Sequence, residues 1–353
     1  MHFPSSSCSS LPASLGLAAL GLVSLGLAAA PARAQTQDLF VSNQDNSTIS
    51  RFAGTGPGTF STAATTLSGG GLNTPNGLAF DAKGDLFAAN AGNSTITEFA
   101  STGAGTFGAG TQLATGGTLN SPIGLAFDAF GDLFAANSGN NSITKFAAGA
   151  TPGTFGAGTV ALMGGGLNGP RGLAFDAKGD LFAANNGNSS ITEFASTGAG
   201  TFGAVTLFAT SGTLLRPFGL AFDAKGDLFA ANNGNNSITE FASTGAGTFG
   251  AGTTLATGGT LYSPFGLAFD AFGDLFVANF YGDSITKFAA GATPGTFGVG
   301  NTVAIGLSGA AFLAFGPLPS APVPEASTTV SLGLLLALGL GGTVMAARKK
   351  RKA

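Results

Sequence analysis

The chain is expected to be all-β: a six-bladed β-propeller closed by strand exchange between its ends, with an N-terminal signal segment and a C-terminal transmembrane helix. Three observations lead there. First, the string Gly-Leu-Ala-Phe-Asp starts at Gly77, Gly124, Gly172, Gly219 and Gly266, spaced 47, 48, 47 and 47 residues apart. Second, three more strand-like blocks recur in the same frame. Asp-Leu-Phe starts at Asp38, Asp85, Asp132, Asp180, Asp227 and Asp274. A Ser/Thr-Ile block ends at Phe52, Phe99, Phe146, Phe194, Phe241 and Phe288. A Thr-Phe block carries Phe60, Phe107, Phe155, Phe202, Phe249 and Phe297. A unit this long with four β-type blocks is what a propeller blade requires. Third, the array opens on its second block, and the missing first block returns in degenerate form as Ala311-Phe312-Leu313-Ala314-Phe315. Joining the last strand to the first three leaves no open blade edge.

The elements follow in chain order. Residues 11–30 are an apolar Ala/Leu/Gly run, and Pro31-Ala32-Arg33-Ala34 after it has the small-residue pattern cut by signal peptidase, so 1–34 reads as an export signal. Cleavage after Ala34 removes Cys8 and His2, leaving a chain without Cys, His or Trp. Residues 35–318 form the propeller. In Leu78-Ala79-Phe80 the large residues share one face at i and i+2, and Asp81-Ala82-Lys83-Gly84-Asp85 supplies turn residues. Residues 319–329 link the ring to an apolar stretch, 330–347, just long enough to span a bilayer core. The basic residues within 348–353 are expected to stay in the cytoplasm.

The composition leaves few chemistries open. The chain of 353 residues has 44% apolar residues and 59 Gly, which recur at fixed turn positions rather than marking disorder. Burying a Phe stabilises by roughly 1.5–3 kcal/mol, so the Phe stripes read as core. Residues 35–322 hold 8 Lys/Arg against 16 Asp/Glu, a difference of −8 that argues against nucleic acid as a partner. Without His or Cys there is no imidazole base, thiolate or usual zinc site.

Two repeated polar sets carry competing readings. The pairs Asp81/Asp85, Asp128/Asp132, Asp176/Asp180, Asp223/Asp227 and Asp270/Asp274 either bind calcium or satisfy hairpin amides. Five repetitions favour the hairpin reading, so no cofactor is assigned, with calcium left open. The set Asn43, Asn90, Asn137, Asn185, Asn232 and Asn279 either offers amides to sugar hydroxyls or satisfies local turns, the second being favoured.

Differences between copies are more informative. The residue between Pro and Gly before the first strand is Asn76, Ile123, Arg171, Phe218 or Phe265, and it is expected near the central opening. The last complete blade departs at Phe280 and Tyr281, with Tyr262 nearby. These residues, Phe280 and Tyr281 on the rim, are the candidate ligand site; aromatics beside amides make a glycan platform. No catalytic residue is assigned.

Two resemblances add expectations. Val323-Pro324-Glu325-Ala326-Ser327, the apolar span and the basic tail together resemble the PEP-CTERM sorting signal of Gram-negative bacteria. That resemblance implies processing by an exosortase-type membrane peptidase and a final place on the cell surface or in the extracellular matrix. The repeat, as in the stretch from Pro122 to Phe146, resembles the NHL repeat, with Phe-Ala-Ala-Asn where that family usually has Tyr-Val-Ala-Asp. It implies a propeller used mainly as a binding platform, with some enzymes among its relatives. The functional expectation is a non-enzymatic binding or scaffold module for polysaccharide or protein. The alternative is a metal-dependent lactonase, hydrolase or lyase of six-bladed type, which needs an asymmetric carboxylate cluster. Glu98, Glu193 and Glu240 instead share one repeated strand position, alternating with Lys145 and Lys287.

Overall fold

The computed structural model describes residues 36–318, apart from 104, 116, 152, 211, 246 and 294. The signal segment, the linker with its sorting motif, the apolar span and the basic tail lie outside the described residues. Among those described, no helix is long and apolar enough to cross a membrane.

Six four-stranded antiparallel sheets make up the ring. Blade 1 joins the two ends of the array: Ala310–Phe315 is its innermost strand, followed outward by Leu39–Asn43, Thr48–Gly56 and Thr59–Leu67. Leu39 pairs with Phe315 and Val41 with Leu313, so the expected strand exchange is present. Blades 2 to 6 begin at Pro75, Pro122, Pro170, Pro217 and Pro264, and each runs consecutively from inside to outside.

The second strand of every blade, such as Leu86–Asn90, is buried along its whole length because both faces are covered. Its period-2 alternation divides the core between two neighbours. Phe87 and Ala89 pack toward blade 3, while Leu86 and Ala88 pack toward blade 1. The core is therefore six clusters, each between adjacent blades, rather than one central mass.

A Phe triad organises each interface. Phe40 of blade 1 meets Phe80 and Phe107 of blade 2 edge-on, with ring centroids 5.1 and 5.5 Å apart. The same arrangement recurs around Phe87, Phe134, Phe182 and Phe229. The closing triad draws on three distant segments, with Phe276 against Phe60 at 5.5 Å and Phe315 at 5.1 Å. Edge-to-face pairs stabilise by about 0.5–1.5 kcal/mol beyond area burial, so the repeated Phe positions build the seams without Trp.

The Thr-Phe block differs from a simple fourth strand. In blades 2 and 5 it forms a separate two-stranded ribbon, Ser101–Gly103 with Thr106–Phe107 and Ser243–Gly245 with Thr248–Phe249. The outermost strands there follow at Thr111–Thr115 and Thr253–Thr257. In blades 1 and 4 the same Phe lies within a continuous fourth strand, Thr59–Leu67 or Thr201–Thr210, and still reaches its triad.

Near the axis the innermost strands approach through glycine. A Cβ on Gly124 would stand 2.1 Å from the Arg171 carbonyl oxygen, and one on Gly172 would stand 2.5 Å from that of Phe218. In blade 1 the corresponding residue is Phe312.

Candidate functional site

The paired aspartates are structural. Asp81 Oδ1 accepts the backbone N–H of Lys83 at 3.0 Å and of Asp85 at 2.8 Å, and the other four turns repeat this bond set. The second Asp accepts an amide from the following ribbon, as from Ser101 to Asp85 at 2.7 Å. Its other oxygen meets a cation, so both oxygens of this second Asp are engaged. Among the described residues, no three His, Cys, Asp or Glu side chains are grouped as metal ligands. Burial pushes the carboxyls of Asp81, Asp128, Asp223 and Asp270 upward, and Oδ2 of Asp128 and of Asp270 is buried without a partner.

Six ion pairs fill the same place in the six blades, but the cation arrives from two directions. In blades 2, 4 and 5 it is the turn lysine, Lys83, Lys178 or Lys225. In blades 1, 3 and 6 it comes from the third strand, as Arg51, Lys145 or Lys287. The alternation of Glu98, Glu193 and Glu240 with Lys145 and Lys287 is thus a charge swap that keeps one cation per blade Asp. Burial first, then the neighbouring Asp85, raises the Glu98 carboxyl.

The Asn set is a stitch, not an open amide ring. Asn90 is fully buried; its Nδ2 donates to Thr95 Oγ1 at 3.0 Å and Thr97 Oγ1 at 2.9 Å. Its Oδ1 accepts the Asn73 N–H at 3.2 Å from the loop connecting blades. Asn137, Asn185, Asn232 and Asn279 do the same. Buried and bonded at both ends, these amides are closed to sugar hydroxyls, and the turn reading is corrected in its partners: strand hydroxyls and a loop amide.

The variable residues do converge at the axis. Each sits in the register irregularity between Pro and Leu that opens the innermost strand of blades 2 to 6. Asn76 and Ile123 are buried, and Asn76 Oδ1 accepts Gln44 Nε2 at 2.7 Å. The opposite sector is aromatic. Phe218, also buried, stacks on Phe265 at 3.9 Å and lies 5.8 Å from Phe312. Phe265 stacks on Phe280 at 4.4 Å, Phe280 meets Tyr281 edge-on at 5.0 Å, and Tyr281 adjoins Tyr262 at 6.2 Å. A continuous ladder therefore runs from the axis to the rim, where Tyr281 is 69% and Tyr262 57% exposed.

Tyr281 and Tyr262 replace a repeated pair. In blades 2 to 4 a glycine faces an Asn side chain across the same gap: Gly92 with Asn73, Gly139 with Asn120, Gly187 with Asn168. Two further members of the mouth escaped the sequence reading. Phe312 stands where the other innermost strands carry the axial glycine. Arg216, exposed and left-handed at φ 52°, precedes Pro217 beside Arg171. Arg171 lies over the Phe218 ring at 5.0 Å, and burial, with the Arg216 charge next, lowers its guanidinium from the ordinary value. Aligning the repeats on their Asp–cation pairs would have isolated both arginines.

No protein-family model matches the chain, and no curated protein matches it in sequence. Solved structures resemble it in shape. The fold is a six-bladed propeller. The nidogen/laminin complex contains a chain with TM-score 0.63 and 20% identity, covering 80% of this chain and 98% of that one. The periplasmic gluconolactonase of Pseudomonas aeruginosa gives 0.57 and 18%, covering 80% and 99%. Virginiamycin B lyase from Staphylococcus aureus gives 0.55 and 14%, covering 79% and 87%. At these identities the likeness concerns the fold alone, which is shared by a gluconolactonase, a lyase and a chain of the nidogen/laminin complex.

Proposed function

We propose that the chain is an exported surface or extracellular-matrix protein whose propeller binds polysaccharide, or protein, without catalysis. The observation that carries the reading is the ladder Phe265–Phe280–Tyr281–Tyr262, which breaks the six-fold repetition in one sector of the mouth. Stacked rings ending in two exposed phenols offer apolar faces and hydroxyls together, the pairing that suits a sugar ring. The lactonase or lyase alternative shares the fold, but among the described residues no three His, Cys, Asp or Glu side chains are grouped for it. Glu98, Glu193 and Glu240 lie in three different blades, each beside its own ion pair.

The signal segment, together with Val323, Pro324, Glu325, Ala326 and Ser327, supports export, membrane insertion and sorting by an exosortase-type peptidase. A glycan array probed with the full-length chain tests the binding reading. Tyr281→Ala should lose the parent's ligand while melting at the parent's temperature, since exposed substitutions usually shift stability by about 0.5 kcal/mol or less. A parent that binds no glycan, or a Tyr281→Ala variant that binds all of them equally well, removes the reading. A reporter fused after Ala353 should be active only in the cytoplasm, and one inserted within the ring only outside it.

A further inference from the structure

Eight cations stand in the described ring, and six are committed to the blade aspartates. The remaining two, Arg171 and Arg216, are in no ion pair among the described residues, and they fall together on adjacent blades at the mouth. We infer that Arg171 and Arg216 form a carboxylate-binding clamp, and that the ligand is an acidic polysaccharide built of uronate sugars whose rings lie against Tyr281 and Tyr262, the exposed outer end of the aromatic ladder. This deepens the glycan reading above and rests on it.

Three features point the same way. Arg171 Nε is buried without a hydrogen-bond partner among the described residues, which leaves the two terminal nitrogens of the guanidinium to face a ligand. The guanidinium is fixed by the Phe218 face at 5.0 Å, and such stacking orients the fork that binds carboxylates bidentately. Arg216 occupies a left-handed position where the other blades place Thr74, Ser121, Ser263 or a glycine. The left-handed turn recurs in all six blades and belongs to the fold; what is particular to blade 5 is that the turn carries an exposed cation. Its carbonyl accepts Asn186 Nδ2 at 3.1 Å and the Asn233 N–H at 3.3 Å, which holds the position. Burial first, then the Arg216 charge, lowers the Arg171 guanidinium, and an anion near both would relieve that repulsion. A peptide acid would satisfy the arginines but leave the ladder of flat rings unused.

The test titrates the full-length chain with a mannuronate hexamer, a neutral glucan hexamer and sulfated dextran, in low and high NaCl. The parent should prefer mannuronate and lose affinity as salt rises. Arg171→Gln/Arg216→Gln should lose roughly tenfold or more for mannuronate while leaving weak neutral binding unchanged. Arg216→Gln alone, at an exposed side chain, should lose several-fold with an unaltered melt, which keeps the test valid if the double variant misfolds. Equal binding of neutral and acidic hexamers, or salt-independent binding, overturns the clamp and leaves the glycan reading standing. A preference for sulfated dextran overturns the carboxylate assignment. Failure to bind any of the three removes the glycan reading as well.

Discussion

Asp283 Oδ1 accepts the Gly309 N–H at 2.7 Å, joining the turn of blade 6 to the strand that completes blade 1. The same link crosses every other seam. Ser47 receives the amide of Thr74, Ser94 that of Ser121, Asn141 that of Gly169, Ser189 that of Arg216, and Asn236 that of Ser263. In each case a left-handed turn residue reaches the first residue of the next blade's entry. Asp283→Ala should therefore lower unfolding stability by about 1–3 kcal/mol, because it removes a charge-assisted bond and leaves a Cβ residue at φ 44°. Asp283→Asn, which keeps the acceptor and tolerates that φ, should recover most of it. Denaturant titration of the two variants measures the difference; equal stability would make the link incidental.

Deleting residues from Ala310 onward should open the ring. Leu39–Asn43 would lose its inner partner, and the buried faces of Leu39 and Val41 would meet water along an unpaired edge. The expected outcome is a lower, broader melt with self-association by light scattering. A monomer that melts like the parent would rule out closure by exchange.

Gly124→Ala should fail at the axis. The added methyl would stand 2.1 Å from the Arg171 carbonyl oxygen, and both strands are already fixed by their sheets. Overpacking of this kind costs about 1–3 kcal/mol, and backbone on both sides leaves little room to relax. The loss should show in the melting temperature. Ala substitution at Gly156, where an added Cβ meets nothing closer than the Ala147 carbonyl oxygen at 3.7 Å and φ is not left-handed, is the control and should leave the melt near the parent's.

Asp128→Asn should gain on the parent as pH rises. Burial holds the Asp128 carboxyl above its ordinary value, so the folded state binds more protons than the unfolded chain between those two values. Stability contributed by the protonated form is present below the unfolded value and lost as pH rises through the folded one. Asn keeps an acceptor for the Phe130 and Asp132 amides and does not titrate. Melting temperatures measured from acid to neutral pH should show a difference that grows in favour of the variant. A constant difference would mean that the carboxyl is not perturbed.

The architecture was legible because every blade repeats the residues that make it. Phe80, Asp85 and Asn90 each occur in register, and Ala311 to Phe315 kept enough of the first block to mark the closing strand. The Asp–cation seams were less legible, since Lys83 and Lys145 reach equivalent aspartates from different strands. Their equivalence appears only when Asp85 and Asp132 are superposed in space. The mouth was partly legible: the variation at Asn76, Ile123, Arg171, Phe218 and Phe265 located it. Variation alone could not show that Asn76, Ile123 and Phe218 are buried, or that Phe312 enters from a position held elsewhere by glycine. Arg216 was hidden because it lies outside the repeated blocks, in a connection whose conformation is fixed by Ser189 from the preceding blade.

Blade 1 also sets a direction for the whole ring. Leu39 and Phe315 face each other at one end of their strand pair, and the Gly316 amide donates to the Asp38 carbonyl there. Chain entry and chain exit thus leave side by side from the face of the Asp turns, while Asn43 and Ala310 mark the opposite face, where the aromatic ladder lies. A ring tethered through its C-terminal side would turn its mouth away from the tether. Tension between a ligand at the mouth and the tether would pull Ala310–Phe315 lengthwise against Leu39–Asn43, loading their hydrogen bonds together as a shear joint instead of unzipping them one by one. The exchanged strand is then the mechanical coupling of the molecule as well as its seal.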